Sequence, residues 1–529
     1  MKLERLHEYI TITVVTALGI GFALYCGKQT GSGQAISGLA LIGVIAVVLL
    51  FIKLKTNSWI LIPLFWPITD QLAFLPGAVP LRDAVVITIF GAFLVFKALK
   101  ICKIKPVYEW INLILLANIL YLVSAFVRNP VGTDSMGTDR VGGRPYFDVI
   151  FACLAYWVIQ RVRIDAKTSQ RLPLIMSAGV FFNSTLEFLS DFFPSTTPYI
   201  GKVFSGFSAE TLQQAAAQAA LDTEQTRLQY LSPAGTSIFQ LLFARYVPTS
   251  VLNPLFFGRF FLAAISVIFI LLSGHRIGII YTGGIFFLAL YFRKGISSVI
   301  TGAALAIPLL ALLIALQGNV LTLPFAAQRA LSFLPGKWDA NAVENARGSS
   351  EWRFEMWKIV LTTDKYISNK WLGDGFGFTR TQLEQMRSLV TDADIQENFM
   401  ISGDYHSGPV ATIRFVGYVG LALFLILLGS IVHYGWRLIR AAQNTPFYYL
   451  ALFLGLPAIF HFFAFIFIFG DFKNDLARAL FTTAMMQMTS ASIALFKEGE
   501  RTAKRQKLAL NPSFPKRPSL PGLETTLTS

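Results

Sequence analysis

Charged residues and cysteines are both scarce in this sequence. Only 14% of the 529 residues are Asp, Glu, Lys or Arg, whereas 54% are hydrophobic. The three cysteines, Cys26, Cys102 and Cys153, lie outside the long polar segments, so the chain offers neither a disulfide framework nor a cysteine metal site. Apolar runs of about 20 residues recur along the chain, which excludes a soluble domain and predicts an all-α polytopic membrane protein.

Acidic residues are also few relative to basic ones. The chain has 30 Asp and Glu against 45 Lys and Arg, and its formal net charge is +15. Part of the excess is a basic run directly after the last apolar segment: Arg501, Lys504, Arg505 and Lys507. A basic run in this position is typical of contact with anionic lipid and of cytoplasmic retention. We therefore expect the lipid bilayer, and no nucleic acid, as a partner.

The apolar runs predict about 12–14 transmembrane helices. The candidate spans begin near Ile10, Ile36, Trp59, Asp83, Trp110, Tyr146, Leu172, Gln229, Arg259, Ile277, Ile296, Pro409, Tyr448 and Leu476. The segment that begins near Gln229 is the weakest, but the distribution of Lys and Arg favours keeping it and predicts that both termini are cytoplasmic.

Two long polar segments divide the chain into regions. The predicted regions are spans one to eleven in 1–316 with an outer segment at 191–228, a large extracytoplasmic loop at 317–408, spans twelve to fourteen in 409–496, and a basic, disordered cytoplasmic tail at 497–529. Within the outer segment, the Ala-rich stretch 209–228 is typical of a surface helix.

The large outer loop carries the pattern of an amphipathic helix. Ser349 and Ser350 precede a periodic apolar pattern and predict an N-cap there. The pattern consists of Trp352, Met356, Trp357, Ile359 and Val360. Its tryptophans indicate an interfacial position, and the glycines of 373–377 predict a turn after it.

Three arginines are expected on the outer side, where basic residues are normally depleted. Arg276 lies in the short Ser-Gly-His-Arg turn, Arg353 begins the amphipathic helix, and Arg347 is a weaker third candidate. A guanidinium stays charged and can bind two oxygens at once, so all three are candidate diphosphate ligands. The alternatives are a helix-end arginine for Arg276 and a surface salt bridge to Glu351 or Glu355 for Arg353.

His406 is the candidate catalytic residue. It lies just before the span that begins near Pro409, and its imidazole can accept a proton from an attacking hydroxyl near neutral pH. Asp404 and Tyr405 are candidates to orient this base or to contact the acceptor. The alternative is an interfacial polar histidine without a catalytic task.

Acidic patterns offer weak candidate metal sites. They are Asp392-Ala-Asp394 with Glu397, and the Gly-Thr-Asp triplets at 132–134 and 137–139. Carboxylates on polar loops are usually only solvated, so we predict no metal and no cofactor.

Four motifs over about 225–435 together resemble the O-antigen ligase and polymerase superfamily of bacterial envelope glycosyltransferases. They are Ser273-Gly-His-Arg276, Arg353 with Trp357, Leu372-Gly-Asp-Gly-Phe-Gly377, and His406 followed by Gly417 and Gly420. The chain departs from the family pattern at His275, Ser407 and Phe415, where a serine, an asparagine and a glutamate are common. These departures leave the acceptor and the subfamily open.

The resemblance implies transfer of a glycan from an undecaprenyl-diphosphate carrier to an acceptor hydroxyl on a lipid, glycan or protein. It implies a multi-span helical fold of the membrane glycosyltransferase type whose outer loop roofs a site on the outer face of the bacterial cytoplasmic membrane. Ligase and polymerase share these motifs, so both remain open. Two arginines could neutralise the leaving diphosphate without a metal, and attack opposite that group would invert the anomeric carbon.

The main alternative is a transporter or flippase for a lipid-linked or anionic substrate. Prolines and Asp70 in the span near Trp59 favour it weakly. No second half matches the first, however, and the charged candidates gather at one face rather than at the midplane. A structural scaffold is the third possibility, and it would tolerate loss of His406.

Overall fold

The computed structural model of the chain describes residues 53–73, 79–99, 107–132, 140–207, 228–388 and 392–510. The two candidate spans near Ile10 and Ile36 lie outside these residues. So do most of the Ala-rich stretch 209–228 and most of the repeated Gly-Thr-Asp segment.

The described residues are mainly helical. In chain order, helices α1 to α18 are Leu61–Phe65, Leu81–Ala98, Trp110–Arg128, Arg144–Ile159, Ala166–Phe192, Thr197–Gly201, Leu231–Arg245, Pro248–Val251, Phe257–Leu272, Arg276–Lys294, Ile296–Leu316, Phe325–Leu331, Ala340–Thr362, Arg380–Ser388, Asp392–Ser402, Gly408–Ala442, Tyr448–Phe467 and Phe472–Leu510. Strands β1 (Arg140–Val141) and β2 (Phe378–Thr379) form a short antiparallel pair that pairs Arg140 with Thr379.

Seven of these helices are long and apolar enough to cross a membrane. They are α3, α5, α10, α11, α16, α17 and a segment of α18, and the shorter α9 is also apolar. In a bilayer a helix satisfies its own backbone hydrogen bonds, which is why apolar runs of this length become helices. The prediction of an all-α polytopic membrane protein is confirmed.

The core lies among the C-terminal helices. Helix α16 packs against α3, α17 and α18, and α7 packs against α5, α9, α10 and α17. Helix α11 is as apolar as α16, yet it buries none of its residues and packs mainly against α10. Its apolar surface is therefore left for the acyl chains of the bilayer.

Helix α16 is interrupted at Gly417. This residue has a φ of +69°, and a Cβ here would meet the carbonyl oxygen of Trp371 at 2.2 Å. Only glycine accepts both the backbone conformation and the contact. The first two turns of α16, at 408–416, are thereby set apart from the rest of the helix.

Three local expectations from the sequence were wrong. Helix α13 begins at Ala340, because the Asp339 carboxylate accepts the amides of Asn341 and Ala342, so Ser350 is an interior residue whose hydroxyl bonds to the Ala346 carbonyl. The predicted disordered tail at 497–529 is helical up to the end of α18, and the rest lies outside the described residues. The span predicted near Trp59 is a 3₁₀ turn followed by α1, which ends before Trp66 and Pro67.

Candidate functional site

The Ser-Gly-His-Arg turn joins α9 to α10. The buried Ser273 hydroxyl donates to the Ile270 carbonyl at 2.7 Å, and Gly274 takes the left-handed conformation (φ +68°) that commonly ends a helix. His275 is extended and caps the new helix, whose first residue is Arg276. This tight turn fixes where the Arg276 guanidinium emerges.

Arg329, on α12, links this turn to α13. Its guanidinium donates to the Gly274 carbonyl at 3.1 Å and to the Asn345 side chain, on α13, at 2.6 Å. The Arg276 guanidinium itself reaches Ser350 on α13 at 3.3 Å. Arg329 was not predicted from the sequence, since its partners are 55 and 16 residues away.

Helix α13 presents Arg353 beside these groups. The Nε of Arg353 is buried without a hydrogen-bond partner. Burial lowers the pKa of Arg353, and the nearby Arg276 cation lowers it further. Within the described residues neither arginine forms an ion pair, so two cations converge on a place that holds no counter-charge.

His406 lies on the link between α15 and α16 in a strained conformation. Its φ is +51°, in the left-handed region that costs a non-glycine residue about 1 kcal/mol or more. Its ring centroid lies 5.1 Å from that of Phe399, 5.8 Å from Phe469 and 6.0 Å from Trp352. The aromatic rings half-bury the imidazole and restrict its orientation.

The surroundings keep His406 uncharged. Burial lowers its pKa most, the Arg353 cation lowers it further, and only Asp404 raises it. A neutral imidazole has a free nitrogen lone pair and can therefore accept a proton.

Asp404 and Tyr405 have other partners. The Asp404 carboxylate accepts the Lys473 ammonium at 3.0 Å and the Ser402 hydroxyl at 3.1 Å. Tyr405 is fully buried, its hydroxyl donates to the Met400 carbonyl at 3.1 Å, and burial raises its pKa. The Tyr405 carbonyl accepts the Trp357 indole at 2.7 Å, so Tyr405 anchors the His406 backbone to α13 rather than contacting an acceptor.

Arg347 is not part of this group. Its side chain is 75% exposed, and its Nε donates to Glu351 at 2.6 Å. The structure therefore brings together Arg276, Arg353 and His406, hereafter the guanidinium–imidazole cluster. It leaves Arg347 at the surface and adds Lys473, which no sequence motif indicated.

The glycine turn at Leu372–Gly377 packs against the first residues of α16, which follow His406 in the chain. The amides of Asp374 and Gly375 donate to the carbonyls of Arg414 and Phe415 at 3.0 and 2.9 Å. The Asp374 carboxylate also holds the buried Arg414 guanidinium at 2.5 Å. Arg414 therefore already has an acidic partner, and Phe415 packs in the core. Through these contacts the Leu372–Gly377 motif positions the start of α16, and with it His406.

The end of α3, strand β1 and the start of α4 contact the same turn. Arg128 donates to the Leu372 carbonyl at 2.8 Å, Arg140 donates to the Asp374 carbonyl at 2.6 Å, and the Phe376 amide donates to the Tyr146 hydroxyl at 3.0 Å. Strand β2 then pairs with β1.

Among the residues that the structure describes, no group of three His, Cys, Asp or Glu is suited to a metal ion, and most of the acidic patterns found in the sequence lie outside these residues. Glu397 instead accepts Lys365 at 2.8 Å and Tyr366 at 2.7 Å. The side chains of Asp392 and Asp394 lie outside the described residues.

Comparison with known proteins finds a family match in this part of the chain. Residues 261–425, about a third of the chain, match the family model described as O-Antigen ligase. That segment contains all three members of the guanidinium–imidazole cluster. The match confirms the resemblance to the O-antigen ligase superfamily and supports O-antigen ligase-like membrane glycosyltransferase activity in general. No curated protein matches the chain.

Proposed function

We propose that this protein, which carries an O-antigen ligase segment, transfers a glycan from an undecaprenyl-diphosphate carrier to an acceptor hydroxyl on a lipid, glycan or protein. The reaction belongs to surface polysaccharide biosynthesis and takes place at the outer face of the bacterial cytoplasmic membrane, with both termini in the cytoplasm. One observation carries the proposal: two arginines that have no acidic partner among the described residues lie beside a histidine whose pKa its surroundings lower.

The two arginines suit the leaving group. A departing diphosphate develops negative charge, and preorganised guanidinium groups in a water-poor place stabilise that charge strongly. Arg276 and Arg353 repel each other, so an anion between them relieves the repulsion. The carrier diphosphate is the group in this reaction that has the required charge.

His406 suits the acceptor. Its neutral imidazole takes the proton of the acceptor hydroxyl while that oxygen bonds to the anomeric carbon and the bond from that carbon to the diphosphate oxygen breaks. Attack from the side opposite the leaving group inverts the anomeric carbon. The electrons of the broken bond leave with the diphosphate, so this step needs no metal ion.

The test is transfer by the purified full-length protein from an undecaprenyl-diphosphate glycan in the presence of EDTA. His406→Asn is the sharpest variant, because asparagine tolerates a positive φ and lacks the imidazole. We expect a folded protein with transfer reduced at least about 100-fold. His406→Gly also fits the backbone, and added imidazole should restore part of its activity.

The outcomes separate the possible roles. Undiminished transfer by folded His406→Asn would remove His406 as the base. Wild-type protein that transfers no glycan to any acceptor but moves the lipid-linked substrate across a vesicle membrane would favour a flippase. Product length distinguishes the two enzymes: a polymerase lengthens the carrier-bound glycan, whereas a ligase delivers it to another acceptor.

A further inference from the structure

A second cationic site lies at the opposite end of α10 from Arg276. Helix α10 has 19 residues and is therefore roughly 27 Å long. At its far end Lys294 reaches the Thr249 hydroxyl at 3.4 Å, and Arg293 donates to the Ala244 carbonyl. The neighbouring groove therefore lies one helix length away from the guanidinium–imidazole cluster.

This groove has a volume of about 710 Å3 and lies among α5, α7 and α9. Its walls are almost entirely apolar and aromatic, and they contain two charged residues, Arg245 and Arg259. Hereafter it is called the α7–α9 groove. No acidic side chain lines it, and within the described part of the chain neither arginine forms an ion pair.

Aromatic rings hold both guanidinium groups in place. The Arg259 guanidinium carbon lies 4.0 Å from the centroid of the Tyr246 ring and 4.7 Å from that of Phe256. That of Arg245 lies 5.8 Å from the Tyr246 centroid and 5.5 Å from Tyr449. Contact with a ring face orients a guanidinium and leaves N–H groups at its edge for other partners. Arg259 donates one of them to the Ser250 hydroxyl at 3.4 Å, and both guanidinium groups lie near the Tyr246 ring.

The loop beside the groove is suited to the edge of a bilayer. Leu255 is 88% exposed and Phe257 is 71% exposed, and Leu252 and Phe256 are also exposed. Four exposed apolar side chains next to two unpaired cations match the boundary between acyl chains and anionic headgroups.

We propose that the α7–α9 groove binds one anionic phospholipid of the membrane leaflet opposite the transfer site. The phosphate lies at Arg245 and Arg259, and an acyl chain occupies the apolar groove. We expect an anionic rather than a zwitterionic phospholipid, because a zwitterionic headgroup would bring a further positive charge to a site that already holds two. This inference is independent of the proposed transfer reaction.

The test measures lipid binding to the full-length protein by native mass spectrometry. The probes are phosphatidylglycerol, phosphatidylethanolamine and soluble glycerol phosphate. We expect phosphatidylglycerol to bind best, and the double variant Arg245→Gln/Arg259→Gln to bind it about tenfold or more weakly. Arg347→Gln is the matched control, because it removes an arginine that is 75% exposed and does not line the groove, and it should leave binding unchanged.

A second variant tests the acyl chain. Leu241→Trp fills the groove without changing its charge, and we expect it to weaken phosphatidylglycerol binding while the melting temperature stays near that of wild type. Equal binding of the two phospholipids would overturn the proposal, as would full binding by the double variant or by folded Leu241→Trp. Displacement of phosphatidylglycerol by glycerol phosphate at equal concentration would instead identify a site for soluble phosphates. Phospholipid-independent dimers seated on the groove would also overturn it.

Discussion

Two groups of arginines in this molecule differ in whether they form ion pairs with acidic side chains. In the ion-pair cluster, Asp83 is fully buried and bonds to Arg82 at 2.9 Å and to Arg144 at 3.0 Å, while Arg82 also holds Asp148 at 2.7 Å. In the guanidinium–imidazole cluster, Arg276 and Arg353 have no acidic partner in the described structure.

The difference assigns the two clusters different roles. Buried charges that satisfy one another hold helices together, and here they join the start of α2 to the start of α4. Cations that repel one another beside a neutral histidine cost stability and are suited to an anionic ligand. Variants of the two clusters test this contrast.

Removal of the shared acid from the ion-pair cluster should be the most damaging to stability. Asp83→Asn removes the fully buried anion that Arg82 shares with the partly exposed Arg144 and leaves Asp148 as the remaining carboxylate of the cluster, and breaking a buried pair costs up to about 3–5 kcal/mol. We expect a clearly lower melting temperature in detergent, with transfer per folded molecule retained. An unchanged melting temperature would mean that the cluster does not stabilise the fold.

Removal of a cation from the guanidinium–imidazole cluster should instead reduce transfer without lowering the melting temperature. Arg353→Gln should reduce transfer about 100- to 1,000-fold, which is the usual cost of losing one charge-stabilising group. Because burial and Arg276 both lower the Arg353 pKa, the folded protein disfavours this cation. The melting temperature should therefore stay the same or rise. A large fall would show that Arg353 is structural.

The pH dependence of transfer should move in opposite directions in two variants. In the wild type, the His406 pKa is lowered, so the acidic limb of kcat/KM should lie below the pH expected for an ordinary histidine. Asp404→Asn removes the group that raises this pKa and should move the limb to lower pH. Arg353→Gln removes a group that lowers it and should move the limb of the residual activity to higher pH. Equal pH profiles in the wild type and both variants would show that His406 does not determine the acidic limb of kcat/KM.

Arg347→Gln should have the smallest effect. This arginine is 75% exposed and pairs with a neighbouring surface glutamate, and because solvent and salt screen such a pair it contributes little to stability. We expect wild-type transfer and a nearly unchanged melting temperature. It is the matched control for Arg353→Gln, since both changes remove an arginine from α13. A loss of transfer equal to that of Arg353→Gln would return Arg347 to the site.

Residues close together in sequence were the easiest to interpret correctly. Apolar runs predicted the helices because a helix in lipid satisfies its backbone within one segment. The short turn before Arg276 was predicted because serine and glycine end a helix locally. The N-cap at Ser349 and Ser350 was predicted wrongly, because a better cap at Asp339 lies a full ten residues earlier and the helix propagates through both serines.

Distant partners could not be predicted. Arg329 meets Gly274 across 55 residues, Lys473 meets Asp404 across 69, and Arg414 meets Asp374 across 40. Each contact depends on how helices pack, and no local pattern in the sequence distinguishes these basic residues from others. For the same reason, the sequence does not show that Arg414 has a buried carboxylate partner.

The sequence by itself determined the membrane-embedded helical class, the order of the motifs and the types of residue available for chemistry. Hydrophobicity and turn chemistry are local properties, so they can be interpreted from neighbouring residues. Only the tertiary structure decided which charges are neutralised. Arg347 and Arg353 lie on one helix and differ by about 120° around its axis. One faces Glu351 and solvent, whereas packing near the Ser-Gly-His-Arg turn and His406 leaves the other half-buried beside a second cation.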